Sequence, residues 1–223
     1  MNSYESYHQI SLMNQMRQLV FDEDWKTFEL VLLSLKDEIN THPDDIQNKL
    51  NYILFQGILS ENNPSYHFPQ ENLDFLYDHF FATEIWGMEE LIVLGNLYRF
   101  FDFSILEAFI EEILNCHYYY EVGSYINVIE SLLLNFIELT IEKTLFEKSK
   151  YYIMKLEPLL KGEHKAYHRI ILMYQKGFLR FSLGEKLGKD IMRDAIKCFE
   201  ITESTYHATY FKNHFQKWTN VDL

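Results

Sequence analysis

The stretch that decides the fold is residues 84–101, EIWGMEELIVLGNLYRFF. Its apolar residues recur at three- and four-residue intervals, a spacing that places them on one side of an α-helix. The same spacing runs through almost all of the chain. Nowhere does an alternation of apolar and polar residues extend over five positions beside a hairpin turn. We therefore predict an all-α protein.

Residues that typically begin and end helices divide the chain into about eleven helices. We predict helices over 4–20, 24–39, 44–60, 70–81, 84–101, 103–118, 121–143, 147–161, 164–183, 186–202 and 204–218. Short turns join them, except for a polar loop over 60–69.

Glycines inside three predicted helices indicate a repeat. Gly57, Gly95 and Gly177 are separated by 38 and 82 residues, close to one and two periods of one helix pair. A mid-helix glycine costs about 1 kcal/mol relative to alanine, so a recurrent one suggests that the second helix of each pair packs closely. The segment 94–98, LGNLY, also has the L-G-x-x-Y order of a first tetratricopeptide helix.

The repeat predicts an architecture. We expect a right-handed superhelix of about five helix pairs, closed by 204–218 as a capping helix, and a single domain over 1–223. The first helix of each pair should line the concave face. The capping helix carries more aromatic surface than one neighbouring helix can cover. We therefore expect the chain to form a homodimer through this helix. The expected interface residues are Tyr206, Tyr210, Phe211, Phe215 and Trp218.

Composition and charge exclude several classes of protein. The net charge is −13, and residues 1–142 hold 5 Lys/Arg against 24 Asp/Glu, whereas 143–223 hold 15 against 9. An acidic surface repels phosphate, and the basic part has no dense Lys/Arg cluster, so we expect no nucleic-acid binding by this chain alone.

The isolated Cys116 and Cys198 fit buried thiols in the cytoplasm. No signal peptide or membrane span is evident.

No enzyme motif is present, and we predict neither a cofactor nor a metal site. The sequence has no HExxH, G-x-S-x-G or G-x-G-x-x-G. His164 and His168 are spaced like metal ligands on a helix, but no third ligand is obvious, so we interpret them as solvated. The chain is therefore predicted to bind another molecule rather than to transform one.

Arg99 is the outstanding candidate for binding. It is the only basic residue between Lys49 and Lys143, a segment with fifteen carboxylates. Asn96 and Ile92 share its helix face, so a guanidinium, an amide and an apolar side chain would meet an extended peptide and its terminal carboxylate. The alternative is that Arg99 neutralises a carboxylate within its own repeat.

Other presumed first helices carry residues that suit a peptide groove. Asparagine is a poor residue inside a helix and suggests a specific reason, and aromatic side chains provide apolar pockets. The further candidates are Asn51, Phe55, Asn135, Tyr174 and Phe178. Each of them alone is also compatible with ordinary helix surface.

Residues 85–96, IWGMEELIVLGN, resemble the Rgg/GadR/MutR family of Gram-positive transcription regulators, and 24–29, DWKTFE, is compatible with it. The resemblance covers essentially the whole chain. It implies a tetratricopeptide-like domain that dimerises and binds short, mostly hydrophobic signalling peptides, with Asn96 and Arg99 at positions that present polar groups to the peptide.

The sequence departs from that family because it has no N-terminal helix-turn-helix, and two explanations stay open. Either it is the regulatory part of a longer regulator, or it is a natural protein without a DNA reader. The main functional hypothesis is a peptide-sensing regulatory domain. The alternative is a tetratricopeptide-like scaffold that binds a protein segment and has no signalling role.

Overall fold

The computed structural model describes residues 3–121 and 123–221, and within them every regular element is helical, which confirms the predicted fold class. The chain divides into two compact units, Met1–Phe101 and Asp102–Leu223. The predicted single superhelix of five pairs over 1–223 stays a prediction.

Unit 1 contains five α-helices within its described residues. They are α1 (Ser3–Phe21), α2 (Trp25–Thr41), α3 (Ile46–Asn62), α4 (Gln70–Ala82) and α5 (Met88–Leu97), and a 3-10 turn, Tyr98–Phe100, follows α5. Side chains at the helix starts cap them: Asp24 accepts a hydrogen bond from the Thr27 backbone N–H at 3.1 Å. Helix α3 packs on both α2 and α5.

Unit 2 contains seven helices in its described part. They are α6 (Phe103–Asn115), α7 (Tyr118–Glu121), α8 (Gly123–Glu142), α9 (Phe146–Leu156), α10 (Ala166–Ser182), α11 (Leu187–Ile201) and α12 (Thr205–Thr219), with 3-10 turns at Glu157–Leu160 and Glu163–Lys165. Helix α10 packs on α8 and α11, and α11 packs on α12. First helices thus contact both their own partner and the next first helix, as in a helical repeat.

Contacts between repeats recur at the spacing that the glycines predict. Gln175 Nε2 donates to the Leu134 carbonyl oxygen at 2.7 Å across 41 residues. In unit 1, Gln47 Nε2 donates to Glu89 Oε1 at 3.2 Å across 42 residues. One helix pair of about 40 residues is therefore the structural unit.

Two glycines, Gly177 and Gly188, permit a close approach of α10 and α11 in unit 2. A Cβ on Gly177 would lie 2.9 Å from the Gly188 carbonyl oxygen, and one on Gly188 would lie 2.3 Å from the Phe181 backbone nitrogen. Gly177 therefore has the predicted role of letting the second helix of its pair pack closely. At Gly57 the close neighbour is Leu97 of α5, so this glycine accommodates the next first helix instead.

Candidate functional site

Helix α5 and the turn after it expose a narrow strip made of three residues, Ile92, Asn96 and Arg99. Between residues 91 and 99 all six other positions are buried, whereas Asn96 and Arg99 are exposed and Ile92 is half-buried. The α-helix ends at Leu97, so Arg99 lies on the 3-10 turn and not on the continuous helix 84–101 that the sequence suggested. We call these three residues the α5 strip.

The chemistry of the α5 strip is polar at one end and apolar at the other. Asn96 Nδ2 donates to the Ile92 carbonyl oxygen at 2.8 Å, which fixes the amide on its own helix and uses one of its two N–H groups. The Arg99 guanidinium carbon lies 5.1 Å from the centre of the Tyr98 ring. A cation, an amide and an aliphatic side chain therefore share one accessible surface.

Glu61 is a carboxylate that acts on Arg99 within unit 1. Desolvation by burial raises the pKa of Glu61 to about 7, while the positive charge of Arg99 lowers that pKa. The residue as a whole still has an exposed surface, so water reaches the carboxyl group and weakens its desolvation. Arg99 thus interacts with a carboxylate of α3, which belongs to the preceding helix pair and not to the repeat of Arg99 itself.

Two predicted groove residues of α3 lie in the core, which corrects the expectation that they line an open surface. Phe55 has no exposed surface, and its ring packs against Phe28 in a tilted arrangement with 4.9 Å between the ring centres. Asn51 is 3% exposed. Helix α3 is buried on nearly all sides from Leu50 to Leu59 because α2 and α5 cover it.

The same correction applies to two residues of α10. Tyr174 and Phe178 have no exposed surface, and they pack against α12, where the rings of Tyr174 and Phe211 lie 4.5 Å apart. The Tyr174 hydroxyl lies 2.8 Å from His214 Nδ1. Asn135 on α8 is half-buried and remains a candidate. The periodic pattern did not distinguish a face that lines a groove from a face that packs against a neighbouring helix.

The predicted dimer surface is also smaller than expected. Phe211 and Phe215 are buried, because α10 and α11 together cover the apolar face of α12. Tyr206 and Tyr210 are exposed, and Trp218 is half-buried.

A buried ion cluster in unit 2 was not foreseen. The Glu130 side chain is fully buried, and its carboxylate lies 2.8 Å from Lys165 Nζ and 2.6 Å from His168 Nδ1. Ser131 Oγ lies 3.2 Å from His168 Nε2. His168 is therefore a partner of a buried acid rather than a solvated histidine. The sequence feature that could have indicated this cluster is Glu130 itself, a glutamate within the apolar pattern of α8.

Unit 2 also has a groove lined by both apolar and basic residues. It has a volume of about 860 Å³ and lies among α9, the turn after it, α10 and α11. Its basic lining residues are Lys150, Lys161, Arg169, Lys176 and Arg180. Glu157 is the acidic residue of this lining, and it pairs with Lys176. The groove suits an anion with an apolar body, and sequence reasoning missed it because its residues come from three helices.

Helix α8 is long and apolar enough, by length and composition, to cross a membrane. In the structure, 61% of its most apolar window is buried inside the protein. Helix α8 packs against α9 and α10, and burial in the core explains its composition.

These features define a class: an all-helical repeat protein with a period of about 40 residues. Residues 32–213 match the family described as HTH-type transcriptional regulator Rgg, C-terminal domain. The chain therefore belongs to this family, as residues 85–96 suggested. It is a family of transcription regulators and not of enzymes.

Solved structures share the fold. The SHP pheromone receptor Rgg2 of Streptococcus dysgalactiae is 24% identical, with a TM-score of 0.76 over 94% of this chain and 75% of that one. RopB is 15% identical, with a TM-score of 0.65 over 97% of this chain and 94% of that one. A point mutant of PrgX is 16% identical, with a TM-score of 0.64 over 97% of this chain and 76% of that one.

Proposed function

We propose that this chain is the peptide-sensing domain of an Rgg-type transcription regulator and binds a short hydrophobic signalling peptide at the α5 strip. Family membership supports a regulatory role, and the related fold of Rgg2 is that of a pheromone receptor. The regulator would act in the cytoplasm, where its peptide and its DNA would both reach it.

The observation that carries the proposed site is the exposure pattern of α5. The helix buries every position from 91 to 98 except Ile92 and Asn96, and then exposes Arg99. A guanidinium can bind a carboxylate through two parallel hydrogen bonds, and Asn96 retains an amide oxygen and an N–H that match one peptide unit. Ile92 offers apolar contact to the next side chain.

The groove of unit 2 is a second location for the same function. Its apolar lining residues include Ile153, Leu172 and Leu179, and its basic lining residues would attract a peptide carboxylate. Variants at Arg99 and at Arg169 distinguish the two locations, because only one of them should weaken peptide binding.

The test is a fluorescence titration of the full chain with short hydrophobic peptides that carry either a free or an amidated C-terminus. A sensor that uses Arg99 should bind the free carboxylate at least about thirty-fold more tightly, since a desolvated charge pair contributes about 2 kcal/mol or more. Mass spectrometry of small peptides that co-purify with the protein from its native cells would identify the natural ligand.

A scaffold without a signalling role would give a different result. It would prefer a folded helical partner segment and would bind free and amidated peptides equally. This outcome would contradict the proposed function.

A further inference from the structure

Three side chains that can ligate a metal ion converge in unit 2: Glu138 and Glu142 from α8, and His214 from α12. One ligand atom of each lies within 4.8 Å of the other two. The two glutamates are four residues apart, so their carboxyl groups lie on the same side of α8. The side chains of His214 and Glu142 are only 7% and 12% exposed, and Glu138 is buried.

The imidazole ring of His214 is oriented by Tyr174. The Tyr174 hydroxyl lies 2.8 Å from His214 Nδ1 and donates to the Phe211 carbonyl oxygen at 3.3 Å. When the hydroxyl donates to that carbonyl, its oxygen accepts the Nδ1–H of His214, and in this tautomer Nε2 is a lone pair. A hydrogen bond at one ring nitrogen commonly prepares the other to ligate a metal.

The Nε2 atom is buried and has no hydrogen-bond partner among the residues that the structure describes. It lies 3.8 Å from Glu142 Oε1. The Tyr210 hydroxyl donates to Glu138 Oε1 at 2.9 Å and orients the second carboxylate. A cation at this point would satisfy the buried Nε2 lone pair, which has no hydrogen-bond partner in the described part of the chain, and the two carboxylates beside it would favour its charge.

We propose that Glu138, Glu142 and His214 bind one divalent transition-metal ion, with Zn²⁺ preferred. An imidazole with two carboxylates suits Zn²⁺ better than Mg²⁺ or Ca²⁺, which favour oxygen ligands alone. Ligands about 2.1 Å from zinc lie about 3.4 Å apart in a tetrahedron, so binding draws these atoms together by roughly an ångström. The ion would connect α12 to α8, and a water molecule would occupy its fourth coordination position.

A proton is the competing cation. Protonated at both nitrogens, His214 would form an ion pair with Glu142, and the cluster would then be part of the core with no metal affinity. Zinc binding separates the two explanations.

The experiment is a calorimetric titration of the full chain, first freed of metal by a chelator, with zinc chloride at pH 7.5. We expect one saturable site per chain and at least about a tenfold weaker Kd in Glu142→Gln, which keeps the side-chain size but is a poor zinc ligand. The matched controls are His164→Ala and Glu112→Gln, both at exposed positions, and they should bind zinc as the wild type does.

Zinc-edge X-ray absorption of the wild-type 1:1 complex provides a measurement that needs no variant. It should show one imidazole and otherwise oxygen ligands, with no sulfur from Cys116 or Cys198. The proposal is overturned by the absence of a saturable site, by unchanged affinity in Glu142→Gln, or by a spectrum with sulfur or several imidazoles.

Discussion

Arg99 and Glu61 interact electrostatically within unit 1: the guanidinium charge lowers the pKa that desolvation by burial raises in the Glu61 carboxyl group. The only basic residue between Lys49 and Lys143 thus already has a carboxylate in reach. A peptide carboxylate that binds Arg99 has to compete with Glu61. Arg99 would therefore pair with Glu61 in the free protein and with the peptide carboxylate in the complex.

Replacing Arg99 should abolish most peptide binding and leave the fold intact. Loss of one arm of a desolvated charge pair costs about 2–5 kcal/mol, or about thirty-fold to several-thousand-fold in Kd. Arg99→Lys should recover only part of the affinity, because an ammonium group lacks the bidentate geometry. Asn96→Ala should cost less, about 1 kcal/mol for a neutral hydrogen bond.

The matched control for Arg99 is Arg17→Ala, which removes another exposed cation of unit 1. Kd is measured by fluorescence titration and folding by helix content and melting temperature. If Arg99→Ala lowers the melting temperature while the folded protein binds as before, the arginine is structural. If Arg169→Ala weakens binding instead, the peptide occupies the groove of unit 2.

Glu61→Gln should tighten peptide binding, because the competing carboxylate is removed while the size of the side chain is kept. We expect a gain on the order of three- to tenfold in affinity, which corresponds to about 1 kcal/mol. Glu71→Gln, at another exposed position of unit 1, is the control. Unchanged or weaker binding in Glu61→Gln would contradict competition between Glu61 and the peptide.

The raised pKa of the Glu61 carboxyl group predicts that the stability of the protein depends on pH. Its folded-state pKa is raised from 4.5 to about 7, so the folded protein holds the proton more tightly than the unfolded chain. The free energy of unfolding should therefore fall as pH rises through this window. The melting temperature of Glu61→Gln relative to the wild type should increase from pH 4.5 to pH 7.5. A constant difference would show that Glu61 titrates normally.

Glu130→Gln should strongly destabilise unit 2. The substitution leaves Lys165 and His168, with side chains 11% and 13% exposed, without their carboxylate. Breaking a buried ion pair typically costs about 3–5 kcal/mol. For a chain of this size, that is a drop of about 10 °C in melting temperature. In the control, Glu147→Gln removes a salt bridge whose acid is 87% exposed and should change little.

Gly188→Ala should destabilise the α10–α11 pair, because its new Cβ would meet the Phe181 backbone rather than a flexible side chain. Overpacking of this kind costs about 1–3 kcal/mol. Gly123→Ala is the matched control, since nothing lies within 4 Å of a Cβ there. Denaturant unfolding measures both variants. Equal stability of the two would show that the helices can separate at no cost.

We also expect a homodimer that uses the exposed aromatic residues of α12. Tyr206 and Tyr210 are 39% and 42% exposed, and these surfaces would be buried between two copies. Tyr206→Glu should then shift the mass in light scattering toward the monomer at micromolar concentration. A monomeric wild-type protein under these conditions would overturn the prediction.

The sequence by itself determined the helices and their period. Every long helix lies within a few residues of its predicted range, since the apolar periodicity and the capping residues act locally along the chain. The period of about 40 residues followed from Gly57, Gly95 and Gly177, and the family from residues 85–96. Helix spacing also placed Ile92, Asn96 and Arg99 on one face, of which Asn96 and Arg99 are exposed and Ile92 is half-buried.

Only the tertiary structure decided which apolar faces are covered and which polar groups meet. Phe55, Tyr174 and Phe178 have the helix spacing of a groove, yet all three are buried: Phe55 packs against α2, and the other two pack against α12. The clusters around Glu130 and His214 join residues that lie more than thirty positions apart in the sequence. A periodic pattern gives the direction of a side chain around its own helix, but the neighbour that it meets depends on how the helices pack.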